Sequence, residues 1–185
     1  PLVAIQILLM NLFSDEITAI ALSFNPDAHD VMQQKPRKNS NILKKSHWIL
    51  IILAGSIMCL VSLGVFYYTL NIQNESEIVA RTTTLVTMIF FAITNAFNFR
   101  SFRKRVLNRS PFTNKYLVYA SAISILVTLV IIYSPLSKAF ETAPISLFNF
   151  LLAFVASLAI ILVFDILKAI KGDLSEEKEL ISKKL

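Results

Sequence analysis

One short run interrupts the apolar start of this 185-residue chain: Asn11-Leu12-Phe13-Ser14-Asp15-Glu16. On an α-helix Asn11, Ser14 and Asp15 stand at i, i+3 and i+4 and share a face. Amide, hydroxyl and carboxylate oxygens are the hard donors that Ca²⁺, Mn²⁺, Mg²⁺ and Na⁺ accept. A carboxylate at the centre of a bilayer costs roughly 2.5–3.5 kcal/mol on insertion scales, and it persists where it meets a partner, a cavity or an ion. The triplet therefore reads as half of a cation site that other helices complete. A second reading stands for Asn11 and Ser14 taken singly, because membrane helices use such side chains to hydrogen-bond their neighbours. Glu16 points about 100° away from Asp15. It faces an interface, a water path or a second partner, and comes last among the candidate ligands.

Such a cluster needs helices to hold it, and the composition supplies them. Hydrophobic residues make up 55% of the chain and charged residues 16%, against about 25% charged in a typical soluble domain. The apolar residues come in long blocks, as in lipid-facing helices whose backbone groups are satisfied within the helix. A transmembrane barrel would need short segments of alternating polarity, and the sequence has none. The expected fold class is all-α: a multi-pass bundle of five transmembrane helices at about 2–24, 48–70, 79–99, 116–133 and 145–170, forming one membrane domain over 1–185. Each approaches or exceeds the roughly 17–25 residues that cross the hydrocarbon.

The connections alternate in charge. Lys35, Arg37, Lys38, Lys44 and Lys45 fall in 25–47, and Arg100, Arg103, Lys104, Arg105, Arg109 and Lys115 in 100–115; the tail 171–185 is again rich in Lys. Asn71 to Glu77 is acidic, and 134–144 holds one Lys and one Glu. Basic residues resist translocation, so loops 25–47 and 100–115 and the tail are expected in the cytosol, with the first span running inward. Of the basic residues, Arg81 and Lys138 alone lie on the other side. The net charge of +6 is thereby assigned to topology, with the lipid bilayer as partner. A nucleic-acid surface would need a basic face with stacking aromatics, so no nucleic acid is expected. Cys59, the single cysteine, has no partner for an internal disulfide. His29 and His47 lack metal-ligand spacing. Pro1-Leu2 enters the apolar run without a basic n-region or a small-residue cleavage site, unlike a signal peptide. The chain is read as the C-terminal piece of a longer protein.

The other spans offer less. The third carries Thr82, Thr83, Thr84, Thr87, Thr94, Asn95 and Asn98. Threonine bonds back to its own helix carbonyls, so local satisfaction is expected, with Asn95 and Asn98 available to a polar helix interface. Asp165 lies near one end of the fifth span, where Lys168 and Lys171 offer an ion pair or a snorkelling contact. Gly55 and Gly64 could admit close helix approach, and Pro135 and Pro144 mark the turn between the last two spans.

The run Pro1-Leu-Val-Ala-Ile-Gln-Ile-Leu-Leu-Met-Asn-Leu-Phe-Ser-Asp15, followed by Ala-Leu-Ser-Phe-Asn-Pro-Asp27 and Asp30-Val-Met-Gln-Gln-Lys-Pro-Arg37, resembles the sixth transmembrane helix and following loop of calcium-type P-type ATPases. The family pattern is Pro-Leu, Gln, Asn-Leu-x-Thr-Asp, Ala-Leu-Gly, an acidic-Pro stretch and Asp-Ile-Met-x-x-Pro-Pro-Arg. Beyond Arg37 the likeness is one of layout, with Asn95-Ala-Phe-Asn98 and Asp165-Ile-Leu-Lys168 echoing positions in the eighth and tenth helices. The resemblance implies that the five spans correspond to helices six to ten. It also implies that Asn11, Ser14 and Asp15 are metal ligands, and that the first span is unwound at its centre, freeing backbone carbonyls. Asn11, where the sodium pump typically has Asp, tilts the transported ion toward Ca²⁺ or Mn²⁺. Ala92 replaces a Glu of the sarcoplasmic reticulum pump, which implies one ion per cycle. Glu16 departs from the common small residue.

The function implied is the cation-binding membrane portion of an ATP-driven pump exporting Ca²⁺, or Mn²⁺, from the cytosol, in the plasma membrane of a microbe. ATP and Mg²⁺ would act in the full-length enzyme. Its N-terminal helices and cytosolic domains are the implied partners, and the loop after the first span would contact the phosphorylation domain. This chain lacks an Asp-Lys-Thr-Gly-Thr motif and a phosphate-binding Gly-rich loop, so no catalytic or cofactor-binding residue is assigned and no ATP hydrolysis is expected from it alone. The rival is a free-standing non-enzymatic five-helix protein acting as scaffold, assembly partner or passive channel. A secondary transporter would show inverted repeats of broken helices, and none is visible.

Overall fold

The computed structural model describes residues 2–25, 45–100 and 110–184, and every regular element in them is helical. The first span consists of α1 (Ala4–Met10), a π-helical turn (Asn11–Glu16) and α2 (Ile17–Ser23). Then come α3 (Lys45–Tyr67), which ends in a second π turn (Tyr68–Ile72), and α4 (Glu77–Phe99). α5 (Lys115–Tyr133) and α6 (Leu147–Lys184) complete the bundle. Five segments are long and apolar enough to cross a membrane: Ala4–Ser23, Ile51–Ile72, Glu77–Phe99, Lys115–Tyr133 and Leu147–Ile166. The last helix does not stop near 170 but continues to Lys184. Most of loop 25–47 and of loop 100–115, with their basic clusters, lies outside the described residues.

Local chemistry sets the helix starts. Ser76 accepts the Val79 N–H at the head of α4, where Glu77 also suits the positive end of the helix dipole. Asn114 accepts the Leu117 N–H at the head of α5, at 3.1 Å. Ser146 accepts the Asn149 N–H at the head of α6, at 3.2 Å. Asn74 and Glu141 take left-handed φ values of 55° and 48° in the two connections at the opposite end of the bundle from Arg100. Asn is among the few residues that tolerate this region, and Glu is not.

The hub is α4. In its most apolar stretch 67% is buried, against 17–39% in the other four spans. It contributes to all four apolar clusters. Leu85, Ile89 and Ile93 meet Leu9 of α1 and Ile131 of α5. Ala96 meets Ala21 of α2 with Leu117 and Ala120 of α5. Phe91 meets Ala54 of α3 with Ile160 and Phe164 of α6, while Val86 and Phe90 join Ile132, Ile145 and Ala153. Edge-on rings seam α4 to α6: Phe90 with Phe150 at 5.3 Å and Phe154 at 5.4 Å, and Phe99 with Phe164 at 6.2 Å. Lipid is as apolar as leucine, so close packing and hydrogen bonds, not escape from water, hold such helices together. Gly55 and Gly64 do not mark a close approach, since a Cβ added at either would meet nothing within 4 Å.

Candidate functional site

The Asn11–Glu16 segment is not unwound. The chain stays helical from Ala4 to Ser23, and the expected break takes the form of a π turn in which the helix widens to i→i+5 bonding. The widening changes the spacing on which the shared-face expectation rested. Ser14 is buried, 1% exposed, whereas Asn11, Asp15 and Glu16 are exposed. Asn11 and Asp15 thus lie on the open side of the span, and Ser14 faces the packed bundle. Its Oγ has no hydrogen-bond partner among the described residues.

Carbonyls at the turn are taken up by hydroxyls. The Ile17 N–H donates to the Ser14 carbonyl, not to that of Phe13 as an α-helix would require. The Phe13 carbonyl accepts from Ser124 Oγ of α5. Thr18 Oγ1 donates to the Ser14 carbonyl at 2.5 Å and lies 3.2 Å from that of Asp15. In a low-dielectric bundle such bonds matter because an unpaired carbonyl has no water to turn to.

Both ends of the span are tied to the bundle. Near its start the fully buried Gln6 donates to the carbonyls of Glu141 at 2.8 Å and Phe140 at 3.3 Å, in the connection between α5 and α6, and accepts the Val3 N–H at 3.3 Å. At the other end Asn114 donates to the Ala21 carbonyl at 3.0 Å while its oxygen caps α5. Arg100 donates to Asn25 Oδ1 at 3.1 Å and to the Ser110 carbonyl at 3.2 Å. Phe24 lies against Tyr116 with ring centroids 4.8 Å apart.

Sequence reasoning did not single out Gln6, Asn114, Arg100 or Ser124 as functional. Gln6 had a signal, a lone amide in an apolar run, and Asn114 sits where a helix cap is expected. Ser124 had none, because its role depends on which helix lies opposite.

The remaining candidates lie elsewhere. Asn98, 1% exposed, precedes Phe99, and Asp165, 6% exposed, follows Phe164. The Phe99–Phe164 ring contact therefore puts both in the same stretch of the α4–α6 packing. The Lys168 and Lys171 side chains expected beside Asp165 lie outside the described residues. Asn95 is half-buried, with an Oδ1 that has no partner among the described residues. The α4 threonines are locally satisfied: Thr82, Thr83, Thr84, Thr87 and Thr94 each donate to the carbonyl four residues back.

The donor set is hard and incomplete. No group of three or more His, Cys, Asp or Glu comes together among the described residues. Asp15 makes no ion pair there, while Arg81 pairs with Glu77. One carboxylate, one amide and one hydroxyl fall well short of the roughly six to eight oxygens that surround Ca²⁺.

Residues 1–170 match the family described as cation transporting ATPase, C-terminus. The chain is 34% identical over 149 residues to a calcium-transporting ATPase of Bacillus subtilis, covering 79% of this chain and 16% of that protein. It is 33% identical over 182 residues to calcium-transporting ATPase type 2C member 1 of Pongo abelii, covering 96% and 19%. It is 28% identical over 222 residues to a calcium-transporting ATPase of Plasmodium falciparum, covering 96% and 18%. The chain thus spans less than a fifth of the length of each of these relatives.

Proposed function

Since the chain belongs to the cation-transporting ATPases, as their C-terminal membrane region, we propose that it supplies part of the transport site of an ATP-driven pump whose cargo is Ca²⁺. Asn11, Ser14 and Asp15 are the ligands proposed, with Asp15 providing the charge and Glu16 flanking it. One observation carries the reading: a carboxylate in the middle of an apolar span, on a π turn, open on the side away from the bundle and without an ion pair among the described residues. Carboxylates inside membranes persist where a cation, a cavity or a partner meets them. The open side of the span is where further helices of the complete pump would bring the missing oxygens. Family membership leaves the free-standing scaffold or passive channel without support.

The pump exports Ca²⁺ from the cytosol across a microbial plasma membrane, and Mn²⁺, which accepts the same donors, is a second cargo to assay. Loops 25–47 and 100–115 and the C-terminal tail face the cytosol in this reading, as their Lys and Arg content favours. Ser14 joins the ligands through its unpartnered Oγ once the turn shifts toward the open side. ATP and Mg²⁺ act on domains outside this chain.

The test is phosphorylation of the complete pump. Asp15→Asn should abolish Ca²⁺-activated phosphorylation from ATP while sparing phosphorylation from inorganic phosphate in the absence of Ca²⁺. Unaltered Ca²⁺ activation in that variant would remove Asp15 from the site and sink the reading.

A further inference from the structure

We infer that Ser124 of α5 is a positioning residue for the proposed cation site, holding the π turn that carries Asp15 in its widened register. The inference rests on the proposed site, and its observation comes from a different helix. α5 carries Ser121, Ser124 and Thr128, all nine-tenths or more buried. Ser121 donates to the Leu117 carbonyl and Thr128 to the Ser124 carbonyl, each four residues back in the same helix. That back-bond is the usual resort of a hydroxyl in an apolar helix. Ser124, with no exposed surface, instead donates across the interface to the Phe13 carbonyl, 111 positions away in sequence.

The acceptor gives the bond its meaning. In an uninterrupted α-helix the Phe13 carbonyl would receive the Ile17 N–H. Here that N–H serves Ser14, and the Ser124 hydroxyl donates to the Phe13 carbonyl from α5. Thr18 adds a second hydroxyl to the next two carbonyls. The carbonyls of three consecutive residues, Phe13 to Asp15, are thus held by side-chain hydroxyls. One of those hydroxyls comes from a different helix, so the first span does not supply it.

Without the Ser124 donor, the cheapest repair is for Ile17 N–H to return to Phe13, which converts the π turn to α geometry. Dropping one residue from a turn rotates the helix on its N-terminal side by about 100° relative to the helix on its C-terminal side. Asn11 and Asp15 would still share a face, as i and i+4 do on an α-helix, but that face would turn relative to the ends of the span that Gln6 and Asn114 tie to the bundle, away from the open side. All ligands remain in the chain, and only their aim at the open side is lost. The expected signature is weakened cation affinity with the rest of the phosphorylation cycle unchanged.

The test uses the complete pump and a pair of near-isosteric variants. Ser124→Val, which keeps the bulk of Thr and loses the donor, should raise the Ca²⁺ concentration for half-maximal phosphorylation about ten-fold, or about 1.4 kcal/mol of binding. Its phosphoenzyme level from inorganic phosphate without Ca²⁺ should match that of the unmodified pump. Ser124→Thr restores the donor and should bring the Ca²⁺ dependence back to normal. Thr128→Val, which removes a hydroxyl bonded within α5, should leave it unshifted. Equal Ca²⁺ dependence of the Val and Thr variants would overturn the inference, because bulk and not the donor would then be what matters. If Asp15→Asn abolishes activation while Ser124→Val behaves normally, the site stands and the positioning role falls. If Asp15→Asn leaves activation unchanged, both fall.

Discussion

The first span and α4 carry similar loads of polar residues in similarly apolar sequence, yet 28% of the one and 67% of the other is buried. In α4 the threonines turn inward on the helix that bears them. Five threonines bond to carbonyls one turn back, and among the described residues only Thr82 also accepts from outside, from the Ala143 N–H at 3.0 Å. In the first span Thr18 bonds back in the same way, but three further bonds reach outward: Gln6 to the α5–α6 connection, Ser124 to the Phe13 carbonyl, and Asn114 to the Ala21 carbonyl. Its charged groups, Asp15 and Glu16, are left open. Polarity that a helix satisfies by itself lets it serve as a packed hub. Polarity that needs other helices sets a helix in place and leaves its open face for something outside the chain.

The largest contrast should come from activity. Asp15→Asn in the first span is expected to abolish Ca²⁺-activated phosphorylation of the complete pump, whereas Thr87→Val in α4 is expected to shift its Ca²⁺ dependence by less than about two-fold, a change below about 0.5 kcal/mol. A comparable loss from Thr87→Val would break the division between a working span and a structural hub. Next comes stability. Asn114→Ala removes both a helix cap worth about 1 kcal/mol and an interhelical bond worth about 0.6 kcal/mol on average in membranes. The purified pump in detergent should unfold at a measurably lower temperature. Gln6→Leu should cost less, about 1 kcal/mol, because the two bonds to carbonyls and the one from the Val3 N–H that it loses are partly offset by the apolar contact it gains. A Gln6 variant more harmful than the Asn114 variant would mean that the first span is secured chiefly at its Gln6 end.

Part of this arrangement was legible in the sequence. Long apolar blocks with polar connections require helices that satisfy their own backbone, so the five-helix all-α architecture followed from composition and segment length. The threonines of α4 were readable as self-satisfied because that bond is local. The shared face of Asn11, Ser14 and Asp15 was not, since it assumed 3.6 residues per turn and the chain takes a π turn at those residues. The sequence marks no residue whose type demands the wider turn. Its support includes Ser124, which becomes visible only once α5 is placed beside the first span. The glycines of α3 misled for a related reason: small residues permit close approach but do not cause it, and α3 presents them to open space.

The smallest expected effect probes α6, which packs on the hub. Asn149 is 1% exposed, and neither its amide nitrogen nor its amide oxygen has a partner among the described residues. Its backbone N–H is satisfied by Ser146, so the side chain is not needed to start the helix. A buried amide without partners contributes nothing that an apolar side chain of similar size would not, and replacing such a group is commonly neutral or stabilising. Asn149→Leu should therefore change the thermal stability of the detergent-solubilised pump by no more than about 0.5 kcal/mol, or raise it. A loss of about 1 kcal/mol or more would mean that the amide is bonded to a group beyond the described residues. The hub side of the molecule would then also depend on outside partners, and the contrast with the first span would narrow to the charge on Asp15.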